Sequence, residues 1–101
     1  MNVNKTAHDD SVVIDVDGRI DTTTAPQLED VVDESINQGA KKIVFGFKNV
    51  EYISSAGLRV ILGAQKRVNE YCGTVTVKEP NAEIIEIFEM TGFIDIIQVE
   101  K

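Results

Sequence analysis

Lys42-Ile43-Val44-Phe45-Gly46-Phe47, followed by Lys48-Asn49-Val50-Glu51-Tyr52-Ile53-Ser54-Ser55-Ala56-Gly57-Leu58-Arg59-Val60-Ile61-Leu62, carries a strand, a turn and a helix in that order. The apolar run of residues 42–47 reads as a strand at the centre of a sheet with both faces covered. Residues 49–55 read as a short connection. The helix after it places Leu58, Ile61, Leu62 and Val68 on one side, with Arg59, Lys66 and Arg67 elsewhere, and Cys72-Gly73 ends it. A strand feeding a helix through a short turn is one half of a parallel crossover.

Working outward, Ser11-Val12-Val13-Ile14-Asp15-Val16 is a β-branched run that predicts a strand closed by Gly18. Asp9-Asp10 marks a turn before it, so residues 3–8 are expected to form a partner strand in a hairpin. Thr24 with Gln27 makes a capping-box pattern, Pro26 falls in the first turn, and Leu28, Val31, Val32 and Ile36 continue at helical spacing to Gly39. Thr74-Val75-Thr76-Val77 alternates as a strand. Pro80 and Asn81 open a last long helix with Ile84, Ile87 and Phe88 as its buried stripe, and Thr91-Gly92 close it. The apolar tail, Phe93 to Val99, is expected to return to the core as a short turn and strand. The order β-β-α-β-α-β-α predicts an α/β fold: a mixed, mainly parallel sheet of four to five strands with an N-terminal antiparallel hairpin and three to four helices. Residues 1–101 are expected to form a single domain. Function is expected at the carboxyl ends of the parallel strands, in the loops at residues 18–24 and 49–55.

Composition narrows the chemistry. A net charge of −7 argues against direct binding to nucleic acid or to an anionic membrane, both of which need clustered cations. No apolar run is long enough to span a bilayer, and Met1-Asn2-Val3-Asn4-Lys5 lacks the apolar stretch of a secretory signal, so a cytoplasmic location is expected. With Cys72 the only cysteine and His8 the only histidine, no disulfide and no zinc set is expected. No phosphate-binding glycine loop is present. Asp15, Asp17 and Asp21 form an acidic trio that an aspartyl phosphotransfer centre would need, but strand alternation puts Asp15 and Asp17 on one solvated face.

Ser54-Ser55-Ala56-Gly57 is the most informative turn. A serine just before a helix serves as its cap, a reading that requires no further function. With Ser54 as the cap, Ser55 takes the first helical position, with only Ala56 and Gly57 beside its hydroxyl. The helix start would tolerate a phosphate there, and a phosphoserine would add about −2 charge to a binding face without unfolding the chain.

The segment from Phe47 to Leu62 resembles the signature of STAS domains, most closely the bacterial anti-sigma-factor antagonists (anti-anti-sigma factors). Gly18-Arg19-Ile20-Asp21 with Ala25 and Leu28 resembles the family's first loop and helix, and Thr91-Gly92-Phe93 its C-terminal turn. The resemblance implies a single STAS domain that binds, unphosphorylated, an anti-sigma factor that is also a serine kinase, so that a sigma factor is released. Phosphorylation of Ser55 would end the complex, and a PP2C-type serine phosphatase would reset it. ATP and metals would belong to those partners, leaving this chain without cofactor, metal or catalytic residue. The partner-binding residues implied are Asp21, Thr22, Thr23, Ser54, Ser55, Ala56, Gly57, Leu58 and Arg59. Relatives of the same family serve instead as interaction or scaffold subunits of signalling or transport assemblies without a phosphoswitch, which is the alternative function. The chain departs from the family pattern at Ser54, where many members carry Asp, and at Arg59, where a small residue is common.

Overall fold

The computed structural model describes Met1–Lys101. Its elements are β1 (Asn2–His8), β2 (Ser11–Ile20), α1 (Ala25–Asn37), β3 (Lys42–Ile53), α2 (Ser55–Asn69), β4 (Thr74–Lys78), α3 (Ala82–Thr91), a 3₁₀ turn (Phe93–Asp95) and β5 (Gln98–Glu100). The five strands lie side by side in chain order, with β1 antiparallel to β2 and the remaining pairs parallel. The α/β class, the hairpin and the mainly parallel sheet agree with the expectation from sequence.

The strand order never reverses, so right-handed crossovers carry all the helices to the same side of the sheet. Val12, Ile14 and Val16 of β2, Ile43, Phe45 and Phe47 of β3, and Val75 and Val77 of β4 are buried beneath Leu28, Val32, Val60, Ile61, Ala64, Val68, Ile84 and Phe88 of the helices. The opposite sheet face is open. A row formed by Thr6, Val13, Val44, Thr76 and Gln98 crosses all the strands there. This corrects the expectation that β3 is covered on both faces: its apolar run includes the half-buried Val44, which belongs to the open face. Phe45 and Phe47 meet edge to face at 6.3 Å between ring centroids, an arrangement worth about 1 kcal/mol beyond their burial.

Both central strands run further than expected. Residues 49–53 are not a connection but the second half of β3, paired with β2 through Asn49↔Asp17, Val50↔Gly18, Tyr52↔Arg19 and Ile53↔Ile20. β2 likewise runs past Gly18 to Ile20. Register shifts between Asp15 and Asp17 and between Gly18 and Arg19 each place an extra residue on β3. Buried positions therefore change spacing from Ile43, Phe45, Phe47 to Phe47, Val50, Ile53. The bulges break the two-residue period, which is why Lys48-Asn49 and Glu51-Tyr52 read as loop. On α2 the inward residues are Gly57, Val60, Ile61, Ala64 and Val68, whereas Leu58 and Leu62 are only half-buried, a correction to the stripe read from sequence.

β4 pairs with β3 only as far as Gly46↔Lys78, leaving the far half of β3 without a neighbour on that side. Asn81 covers this edge. Its Oδ1 accepts the Ile84 N–H at 2.9 Å, capping α3, while its Nδ2 donates to the carbonyls of Val50 at 3.2 Å and Glu51 at 3.4 Å. Asn81→Ala removes the cap and leaves both carbonyls to water. It is expected to cost about 1–2 kcal/mol in chemical denaturation, with Asn81→Asp recovering the cap but not the edge bonds.

Candidate functional site

Because β2 and β3 are parallel neighbours ending in the Ile20↔Ile53 pair, the turns that follow them emerge side by side. The Ser54 N–H donates to the Ile20 carbonyl at 2.8 Å and closes the junction. The first turn, from Asp21, leads into α1; the second, at Ser54, leads into α2. Two segments 30 or so residues apart in the chain thus share one end of the sheet, roughly the separation typical of a βαβ unit.

Asp21 organises the first turn. Its Oδ1 accepts the Thr23 hydroxyl at 2.7 Å, the Thr23 N–H at 3.0 Å and the Thr24 N–H at 3.1 Å. Thr24 Oγ1 accepts the Asp21 N–H at 2.8 Å and donates to the Arg19 carbonyl at 2.8 Å. Thr24 occupies the N-cap of α1 but its hydroxyl makes no capping bond, contrary to the capping box read from sequence. The hydroxyl is held by the preceding turn instead. Thr22 and Thr23 are exposed on the outer side of this turn.

The Thr23 hydroxyl, then the Thr23 and Thr24 amides, pull the Asp21 carboxyl from the usual 3.8 down to about 2. The folded form therefore favours the carboxylate. Its contribution to stability is complete above the unfolded value and is lost as pH falls through about 2. The Asp21 side-chain carbon followed by NMR should titrate near 2 in the native chain, and Thr23→Val should move that midpoint back toward the usual carboxylate value.

In the second turn Ser54 is the N-cap of α2, with extended backbone and an Oγ that accepts the Gly57 N–H at 3.4 Å, a long bond. Leu58 N–H then donates to the Ser54 carbonyl at 3.0 Å, so the amides of Ser55 and Ala56 precede the first intrahelical bond and add to the positive end of the helix. Ser55 is exposed at the first helical position and its hydroxyl has no partner within the chain. Ala56 and Leu58 are half-buried and Arg59 is exposed. Gly57 is turned inward: a Cβ there would come within 2.6 Å of Ile20 and 2.7 Å of Ile53. It is buried in the packing under the turn.

A shallow groove runs between the starts of α1 and α2, lined by Thr22, Ala25, Pro26, Glu29, Ala56, Arg59 and Val60. Glu29 and Val60, which line this groove, were not singled out in the sequence. The α1–α2 packing sets them in one groove with Ala56 and Arg59. At the ends of β2 and β3, Arg19 lies over the Tyr52 ring at 4.5 Å from the centroid, a cross-strand cation–π contact.

The acidic trio does not converge. Asp15 is exposed on the open sheet face with its carboxylate over Gly46, and Asp17 on that face accepts the Asn49 amide at 3.1 Å. Asp21 is bound into its own turn. No three His, Cys, Asp or Glu side chains are grouped to hold a metal ion. His8 pairs with Ser11 at the start of β2, the opposite end of the sheet from Ser55. No helix is long and apolar enough to cross a membrane.

The STAS domain model matches residues 2–101. BtrV of Bordetella bronchiseptica, named as an anti-sigma factor antagonist, is 31% identical over 91 residues, covering 90% of this chain and 78% of its own length. The anti-sigma-B factor antagonist of Staphylococcus aureus is 29% identical over 101 residues, covering 100% of this chain and 94% of its own. Among solved structures, the Bacillus anti-sigma factor antagonist SpoIIAA superposes in its unphosphorylated form with a TM-score of 0.82 at 18% identity, covering 99% of this chain and 88% of that one. Its phosphorylated form gives a TM-score of 0.79 at 18% identity, covering 99% and 92%. At that identity the likeness is one of fold.

Proposed function

The chain belongs to the STAS domain family, and from that premise we propose that it is an anti-sigma-factor antagonist switched by phosphorylation of Ser55. The observation that carries the reading is the exposed, unpartnered Ser55 hydroxyl at the start of α2, beside the Asp21 turn. Relatives spanning nearly all of this chain are named as antagonists of anti-sigma factors, and the SpoIIAA fold is known in phosphorylated and unphosphorylated forms.

Unphosphorylated, the chain docks an anti-sigma factor through Thr22, Thr23, Ser54, Ser55, Ala56, Leu58 and Arg59, on a frame stiffened by Asp21 and Gly57. The bound anti-sigma factor releases its sigma factor. That partner is also a serine kinase: the γ-phosphoryl group of its ATP passes to Ser55 Oγ, an O–P bond forms as the β–γ bridge breaks, the hydroxyl proton leaves to the kinase, and ADP departs. The resulting charge of about −2 sits at a helix start that tolerates it, while the partner surface meets repulsion and loses close contact. A PP2C-type phosphatase hydrolyses the phosphoserine and restores the hydroxyl. The chain is ligand and substrate in this cycle, with no catalytic group or cofactor of its own.

The test is to retain the anti-sigma kinase on the unphosphorylated chain, add ATP, and map phosphate by mass spectrometry. Phosphate on Ser55 and loss of the complex are expected. Phosphate confined to Ser54 or another residue overturns the assignment.

A further inference from the structure

We infer that Arg59 is the internal counter-ion of a phosphate on Ser55, drawn along α2 to it from the α1–α2 groove. The inference rests on Ser55 being the phosphoacceptor. Residues 55 and 59 stand four apart on one helix, which stacks their side chains on one face with Cβ atoms about 5–6 Å apart. Both are exposed.

Elimination among the arginines singles out Arg59. The chain has three arginines. Arg67 is ion-paired with Asp33 of α1, and Arg19 is held over Tyr52. Arg59 has no carboxylate within ion-pairing distance, although Glu29 of α1 lines the same groove. A cation four residues inside a helix start gains nothing from the helix dipole. A dianion on Ser55 reverses that balance: the guanidinium fork matches phosphate oxygens, and the free amides of Ser55 and Ala56 hold the other side of the group. The charged groups around this point are Arg59 on α2, Glu29 on α1 and Asp21 in the turn before α1, and Asp21 is already bonded within its turn.

The consequence is a switch with two parts. Phosphorylation adds negative charge at Ser55 and withdraws the positive charge of Arg59 from the groove beside Glu29. A partner carboxylate that meets Arg59 in the unphosphorylated complex loses its counter-ion at the same step.

The test uses full-length chains with phosphoserine placed at position 55 during translation, as wild type, Arg59→Ala and Arg59→Lys. The phosphate is titrated by ³¹P NMR and the arginine Nε–H signals are followed by ¹H–¹⁵N NMR. The second phosphate pKa is expected to be higher by about 0.5 in Arg59→Ala than in wild type, with Arg59→Lys between them and the difference shrinking at high salt. The Arg59 Nε–H signal should become slow to exchange only in the phosphorylated chain. The same phosphate pKa in wild type and Arg59→Ala, with an unmoved Arg59 signal, overturns the inference. No kinase takes part, so failure of Ser55 as the kinase's target is read separately, by the phosphate mapping above.

Discussion

Ser55→Asp is expected to weaken binding to the anti-sigma kinase at least a hundredfold, while Ser55→Ala stays within about threefold of wild type. The reason is the exposure of position 55 at the helix start, where a carboxylate enters the docking surface without disturbing the fold. A like charge or an unpaired, desolvated carboxylate at the contact costs on the order of 3 kcal/mol. The same substitution is favourable to the isolated chain, because an acid in the first turn of a helix interacts well with its dipole. The melting temperature of Ser55→Asp should therefore match or exceed that of wild type, which separates loss of binding from loss of structure. Calorimetric titration of the two variants decides the matter. Equal affinity for Ser55→Asp and wild type would remove the phosphoswitch and leave the chain as a STAS interaction subunit.

Gly73→Ala is expected to be among the most damaging single substitutions, costing about 3 kcal/mol or more and lowering the melting temperature by about 12 °C or more. Gly73 sits where the chain leaves α2 for β4. A Cβ there would stand 2.1 Å from the Lys41 carbonyl oxygen, 2.8 Å from Val68 Cβ and 2.9 Å from the Val68 carbonyl oxygen. These atoms cannot move aside easily, because Thr74 N–H donates to Lys41 O at 2.9 Å and Gly73 N–H to Val68 O at 2.7 Å. Gly63, on the same helix, is the control: a Cβ added there meets nothing within 4 Å. Gly63→Ala should stabilise the chain by about 0.5–1 kcal/mol through the lower entropy of the unfolded state. Thermal unfolding by circular dichroism compares the two directly, and similar effects for both would contradict the packing around Gly73.

Much of the architecture is legible without coordinates because the signals are local. The alternation of Thr74-Val75-Thr76-Val77 and the spacing of Leu28, Val32 and Ile36 record the period of the element they form. Asp9 adopts φ +55° in the hairpin turn and Gly92 φ +80° at the end of α3, conformations that Asp, Asn and Gly tolerate best. The second half of β3 is hidden for the converse reason. Its bulges change the period, and they exist only because β2 offers a partner in a shifted register. Coverage of a single sheet face is hidden too, since it follows from the direction in which every crossover winds.

The same division runs through the site. The sequence by itself determined that Ser54 and Ser55 open a helix, because capping involves residues only two or three apart, and it placed Asp21 in the loop at residues 18–24 without the turn it organises. Only the tertiary structure brought the two turns together, through the Ile20↔Ile53 register, buried Gly57 beneath them, and set Arg59 in the groove with Glu29. Those relations join residues distant in the chain, and they arise from strand pairing and helix packing, in which the energy of each contact depends on both surfaces at once.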